Sequence, residues 1–176
     1  LATHYVEQSG LADLVERVMK APARAQGALG AAATSPPEPK IEGILPQVTK
    51  LFASDRLEDV LAALEADESD WAQNGLATLK SKSPLSCKVS LRLLAEGAER
   101  ASFADEMRAE YALAGRVVRT HDFREGVRAV LIDKTGEPRW DPPTPEGVTD
   151  EMLDVLFAPL PASEAWTPYP EPETVE

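Results

Sequence analysis

Apolar residues recur at helical spacing along most of the chain. Leu11, Leu14, Val15, Val18 and Met19 fall at i, i+3, i+4, i+7 and i+8, the pattern of one covered helical face. Ser9 stands where a cap is needed, and Pro22 where such a helix must stop. Ile41, Ile44, Leu45, Val48, Leu51 and Phe52 repeat the pattern, with Pro46 an objection inside it. Ser54 or Asp55 opens a further helix carrying Leu57, Val60, Leu61 and Leu64, and another is predicted over Trp71 to Leu79. Residues 23–40, with Gly27, Gly30, Pro36, Pro37 and Pro39, read as a loop.

The second half has sharper punctuation. Ser83-Pro84 predicts a helix start, because proline suits the first helical position, where its missing N–H would have had no partner. That helix should run to about Glu96, with Gly97 near its end. Ser102 with Asp105 resembles a capping box and opens a long helix through Met107, Tyr111, Ala114 and Val118. Asp122 with Glu125 suggests the same kind of start for Phe123, Val127, Val130 and Leu131. Thr149 caps a short helix with Met152, Val155 and Leu156. Strand signal is scarce, and Ala2 to Val6 is its best candidate. The expected fold class is mostly α.

Composition narrows the function classes. The 176 residues are 43% hydrophobic, enough for a core, and carry a formal net charge of −12. The charge is unevenly placed. Residues 80–140 hold 12 basic against 9 acidic side chains, a net +3, and are the one stretch suited to an anionic partner. Residues 141–176 hold 9 acids and no Lys or Arg, with prolines at 142, 143, 145, 159, 161, 168, 170 and 172. Such an acidic, proline-rich end is expected to fray. The overall acidity argues against a generic nucleic-acid surface. No apolar run approaches the roughly 20 residues that span a bilayer. One cysteine allows no intrachain disulfide and no Cys-based zinc cage, and His4 and His121 are too far apart for a His-rich motif. A cytoplasmic protein without metal is the expectation. The chain begins at Leu1 rather than Met, which leads us to expect either a processed start or a piece of a longer polypeptide.

Several residue groups could carry chemistry. His121-Asp122 could be half of a catalytic dyad, but neighbours at a helix entrance are expected to point apart, leaving a capping Asp beside a hydrogen-bonded His. Cys87 lies in an amphipathic helix without an evident base and reads as a small hydrophobe. Glu96 with Glu99, and Glu106 with Glu110, read as solvated helix faces beside arginines. Trp140 reads as a packing anchor. Arg116, Arg119, Arg124, Arg128, Lys134 and Arg139 crowd a short region, where phosphate recognition and salt-bridged helix faces both remain open.

Taken together, Ser83-Pro84-Leu85-Ser86, then Met107-Arg108-Ala109-Glu110-Tyr111, then the block from His121-Asp122-Phe123-Arg124-Glu125-Gly126 through Val127-Arg128-Ala129-Val130-Leu131-Ile132-Asp133-Lys134 carry a resemblance. The order continues to Pro138-Arg139-Trp140, to Val148-Thr149-Asp150-Glu151-Met152 and to Phe157-Ala158-Pro159-Leu160. The chain resembles the C-terminal part of the 3-hydroxyisobutyryl-CoA hydrolase family, thioesterases of the crotonase (enoyl-CoA hydratase/isomerase) superfamily. Leu1 to Val6 resembles the strand that closes the family's core.

The resemblance implies the C-terminal helical part of an α/β crotonase fold whose ββα core lies upstream and is absent here. It divides the chain into a closing strand at 1–8, a helical segment at 9–82 with a loop at 21–40, a C-terminal helical region at 83–160 and an acidic Pro-rich tail at 161–176. It implies hydrolysis of a short 3-hydroxyacyl-CoA thioester, with coenzyme A as part of the substrate and no other cofactor. The oxyanion hole and the acidic residues of the active site belong to the upstream half, so no catalytic residue is expected here. Lys134 stands near where related hydratases place a lysine against the CoA phosphates, with Arg119 and Arg128 as weaker candidates. Gly126 is expected to permit close helix packing. The expected partners are the upstream core half and acyl-CoA, with contacts between copies of the chain, and neither nucleic acid nor membrane. The alternatives are a hydratase or isomerase of the same superfamily and a non-catalytic helical module that binds a partner.

Overall fold

A computed structural model describes residues 2–167. They form nine α-helices and no strand, divided into two compact units that meet in sequence between residues 46 and 47.

In the first unit, α1 (Leu11–Lys20) packs on α2 (Ala25–Ala32) and buries Leu14. The start of α1 differs from expectation. Ser9 lies in a 3-10 turn, Gln8–Gly10, and makes no cap. Residues 21–40 are not a continuous loop either. Alanine-rich Ala25–Ala32 is helical, since alanine has the highest helix propensity and Gly27 and Gly30 tax the helix without breaking it. The prolines at 36, 37 and 39 follow that helix. The segment expected as a strand, Ala2 to Val6, makes one antiparallel bridge, in which Thr34 N–H donates to the Tyr5 carbonyl at 2.9 Å. Leu1 lies outside the described residues, as do 168–176 of the expected frayed tail.

α3 (Leu45–Leu51) falls across the boundary between the units, and Pro46 is tolerated because it stands in the first turn, where the N–H has no helical partner. In the second unit α3, α4 (Leu57–Glu65) and α5 (Asp70–Lys80) share a core of Leu51, Val60, Leu64, Ala72 and Leu76. Leu64 is 0% exposed, and burying a leucine fully contributes about 1.5–3 kcal/mol. Ser54 does not cap α4. It accepts the Arg56 N–H and donates to Asp59, shaping the turn before the helix.

A second core joins α6 (Pro84–Glu99), α7 (Phe103–Val117) and α9 (Asp150–Phe157) through Leu85, Val89, Leu113, Leu153 and Leu156. The starts read from the sequence for these three helices are in place. Ser83 accepts from the Ser86 N–H, Ser102 from Asp105 and Thr149 from Met152. α6 runs past Gly97 to Glu99. Two polar ties fasten this core. Lys88 pairs with Glu58 at 2.7 Å and donates to the Val148 carbonyl, and this partner holds the Glu58 carboxyl below its ordinary range. Arg116 donates to the carbonyls of Leu156, Ala158 and Pro159, satisfying acceptors at the C-terminal end of α9 where a cation is favoured.

Candidate functional site

α8 (His121–Val127) begins differently from expectation. Thr120, not Asp122, is its cap and accepts the Phe123 N–H at 3.2 Å. The cap being supplied one residue before the helix, Asp122 turns inward. It is 3% exposed, and its carboxylate accepts the Ser83 hydroxyl, the Asp141 N–H at 2.8 Å and lies 3.1 Å from His121 Nδ1. A buried carboxylate without such donors would cost several kcal/mol. His121 and Asp122 therefore do touch, contrary to the expectation that they point apart. The hydroxyl that meets them bonds to the carboxylate rather than to the imidazole, so the trio lacks the order of a nucleophilic relay.

Glu125, read as the second half of a capping box, instead faces the loop that returns after α8. It takes two bonds from Arg128, at 2.6 and 2.8 Å, and the backbone N–H of Arg139 at 2.7 Å. The Arg128 fork, then the Arg139 N–H, hold the Glu125 carboxyl far below its ordinary 4.5, at about 2. Arg128 also reaches Asp133 at 2.5 Å. After α8 the chain widens into a π-helical turn, Arg128–Ile132, and reverses through Lys134 at φ 55° and Gly136, whose N–H donates to the Ala129 carbonyl.

Trp140 closes the return loop. Its indole Nε1–H donates to the Ser81 carbonyl at 3.1 Å, and its ring lies on α8, where a Cβ at Gly126 would come within 3.4 Å of it. Gly126 thus admits a loop tryptophan rather than a second helix. Gly147 plays a stricter part in the loop beyond, since a Cβ there would fall 2.7 Å from Pro142.

Ser83, Asp122, Gly126 and Trp140 border one open groove of about 720 Å³, lined by residues of α4, α5, α6 and α8, the π-turn and Trp140. Its walls are apolar, and Phe123, Leu94 and Leu131 present much of their surface there, the last two 73% and 65% exposed. Its polar lining runs along Lys82, Ser83, Ser86, Ser90 and Asp122. Cys87 also lines it, half-buried, and burial pushes its thiol up, away from the nucleophilic thiolate.

The other candidates are dispersed. Lys134 is exposed on the reversal after the π-turn. Arg128, at the other end of that turn, is engaged by two carboxylates, and Arg119 donates to the Gly115 carbonyl at 2.6 Å. Glu96 pairs with Arg92 and Arg100 at the helix surface, while Glu106, expected on a solvated face, is half-buried against Arg100. Among the described residues no group of three or more His, Cys, Asp or Glu could hold a metal ion, and no helix is long and apolar enough to cross a membrane.

Comparison with known proteins bears on this arrangement. A family model described as enoyl-CoA hydratase/isomerase matches residues 1–157. The 3-hydroxyisobutyryl-CoA hydrolase, mitochondrial, of Gallus gallus is 35% identical over 169 residues, covering 91% of this chain and 44% of its own length. The protein of the same name from Homo sapiens is 33% identical over 174 residues, covering 93% and 45%. Among solved structures, a carnitinyl-CoA dehydratase from Mycobacterium thermoresistibile superposes with a TM-score of 0.81 at 28% identity, over 90% of this chain and 45% of its own. An enoyl-CoA hydratase from Rhodobacter sphaeroides 2.4.1 gives 0.78 at 31% identity, over 92% and 46%. The chain spans a little under half the length of the curated relatives it matches.

The depressed Glu125 value carries a pH prediction. A carboxyl whose folded pKa lies below its unfolded one contributes stability above the ordinary 4.5 and loses it as pH falls toward about 2. Hydrogen exchange of the Arg139 amide should therefore lose its protection between pH 5 and 2. In Glu125→Ala, which removes the acceptor, the protection is expected to be weak already at pH 6, without that acid step.

Proposed function

The chain belongs to the enoyl-CoA hydratase/isomerase family, and from that premise we propose that it is the C-terminal part of an acyl-CoA thioester hydrolase. The proposed reaction converts 3-hydroxyisobutyryl-CoA to 3-hydroxyisobutyrate and CoA, a step of valine breakdown. The observation that carries this reading is the identity of 33–35% to proteins named for that hydrolysis, extending over more than nine-tenths of this chain.

In this reading water adds to the thioester carbonyl and the CoA thiolate leaves. Charge developing on the carbonyl oxygen is stabilised by backbone N–H donors, and attack and proton transfer are driven by carboxyl groups, both in the upstream half. This chain supplies no catalytic residue, and the 176 residues alone are inactive. Its part is a helical wall. The upstream half is the partner that covers the exposed apolar side chains of Leu11, Val15 and Met19 on α1, since exposed apolar surface of this kind marks an interaction site. The net +3 of residues 80–140 suits the polyanionic carrier. Lys134 is the leading phosphate ligand because it is exposed, and because a lysine at positive φ costs about 1–2 kcal/mol over glycine, which a role for its side chain would explain. Arg119 and Arg128 are secondary, being engaged by a carbonyl and by carboxylates. Cytoplasmic placement is the expectation from composition, while the vertebrate relatives are named as mitochondrial.

A second reading, hydration or isomerisation of an enoyl-CoA, is favoured by the names of the two solved structures. The complete polypeptide, given 3-hydroxyisobutyryl-CoA and a thiol reagent, should release free thiol. Hydration of an enoyl-CoA with no thiol release would overturn the hydrolase reading in favour of the second. In the same assay Lys134→Gly, which suits the positive φ, should raise KM roughly two- to fivefold, the scale of one exposed ion contact. An unchanged KM would remove the phosphate role.

A further inference from the structure

Among the described residues the buried polar side chains are Ser83 and Asp122, and they are each other's partners. Both line the groove. We propose that Asp122 is a positioning residue for substrate binding, acting through Ser83 and Trp140 on the shape of that groove; the proposal rests on the acyl-CoA reading above.

A closed circuit of bonds supports it. Asp122 holds the Ser83 hydroxyl at the start of α6, and holds the N–H of Asp141, the peptide that follows Trp140. The Trp140 indole in turn donates to Ser81, two residues before Ser83. His121 Nδ1, 3.1 Å away, is the remaining contact of the carboxylate. The circuit fixes the first turn of α6, the entrance of α8 and the tryptophan wall against one another. Those are the parts of the groove where its polar lining meets its apolar wall. A pair of apolar side chains would hold the helices together without the desolvation penalty of a carboxylate, so stability alone does not account for the pair. Directional bonds, by contrast, hold Trp140 in one place, and a pocket is selective to the degree that its wall is rigid.

The occupant is an acyl-CoA thioester. A groove of about 720 Å³ is in the range of small-molecule sites, roughly 300–1,000 Å³, and is mostly apolar with a few gathered polar groups. Lys82 on its lining, in the segment of net +3, complements an anionic carrier.

The test measures binding apart from the reaction, by calorimetry of the complete polypeptide with a thioether analogue of the acyl-CoA, which cannot be hydrolysed. Asp122→Ala should weaken binding at least about tenfold. Asp122→Asn should recover binding to within about threefold of the parent, because the amide oxygen still accepts from Asp141 and its NH2 donates to Ser83 Oγ. Should the alanine variant fail to fold, the paired apolar substitution S83A/D122L serves in its place, with a melting midpoint near the parent and the same loss of affinity. Parent affinity in Asp122→Ala or in the apolar pair, or no binding of the thioether by the parent, overturns the proposal. Thiol release by the parent is scored separately, so a failed hydrolase reading is not mistaken for a failed positioning role.

Discussion

The Asp122 carboxylate is the constraint on which the second unit's functional face depends. Taken out of water, it needs donors from every side, and they come from places 39 and 19 residues away in the chain, Ser83 and Asp141. The donors therefore bring α6, α8 and the return loop to one point. Satisfied, the network specifies one arrangement; with a single donor missing, the unpaired group would cost about 1–3 kcal/mol. Glu125 repeats the principle one turn later, gripping Arg128 and the Arg139 N–H, so the block from His121 to Asp141 reads as one knot rather than a row of separate motifs.

Much of the helical frame was legible because its signals are local. Ser83, Ser102 and Thr149 cap the helices they precede, and the three- and four-residue spacing of Leu57, Val60, Leu61 and Leu64 marks a real core face. The errors came where a local pattern had a competing explanation. Asp122 and Glu125 have the spacing of a capping box, yet Thr120 already served that role, which left both acids for long-range partners. Gly27 and Gly30 read as loop, while the alanines around them carried the helix. Ala2 to Val6 has strand character, but only Tyr5 finds a backbone partner among the described residues.

The candidate site was less legible than the frame. Spacing cannot show that Ser83 meets Asp122, or that Gly126 makes room for an indole from a loop 14 residues on. The crowded arginines, open between phosphate recognition and salt bridges, divide by geometry: Arg128 and Arg116 hold the fold together, and Lys134 stands exposed. In the proposed division of labour the upstream half carries the chemistry and this chain carries a shaped wall, which explains why so many exchangeable groups here turn out to be structural.

The most direct test of that account is a double-mutant cycle on Ser83→Ala and Asp122→Ala, read as the change in unfolding free energy. If the pair is the joint of the network, the two substitutions should be coupled by about 1–2 kcal/mol, since either one alone already breaks the shared bond. Additivity within about 0.3–0.5 kcal/mol would mean that the two residues act independently, and would contradict the central place given to them here.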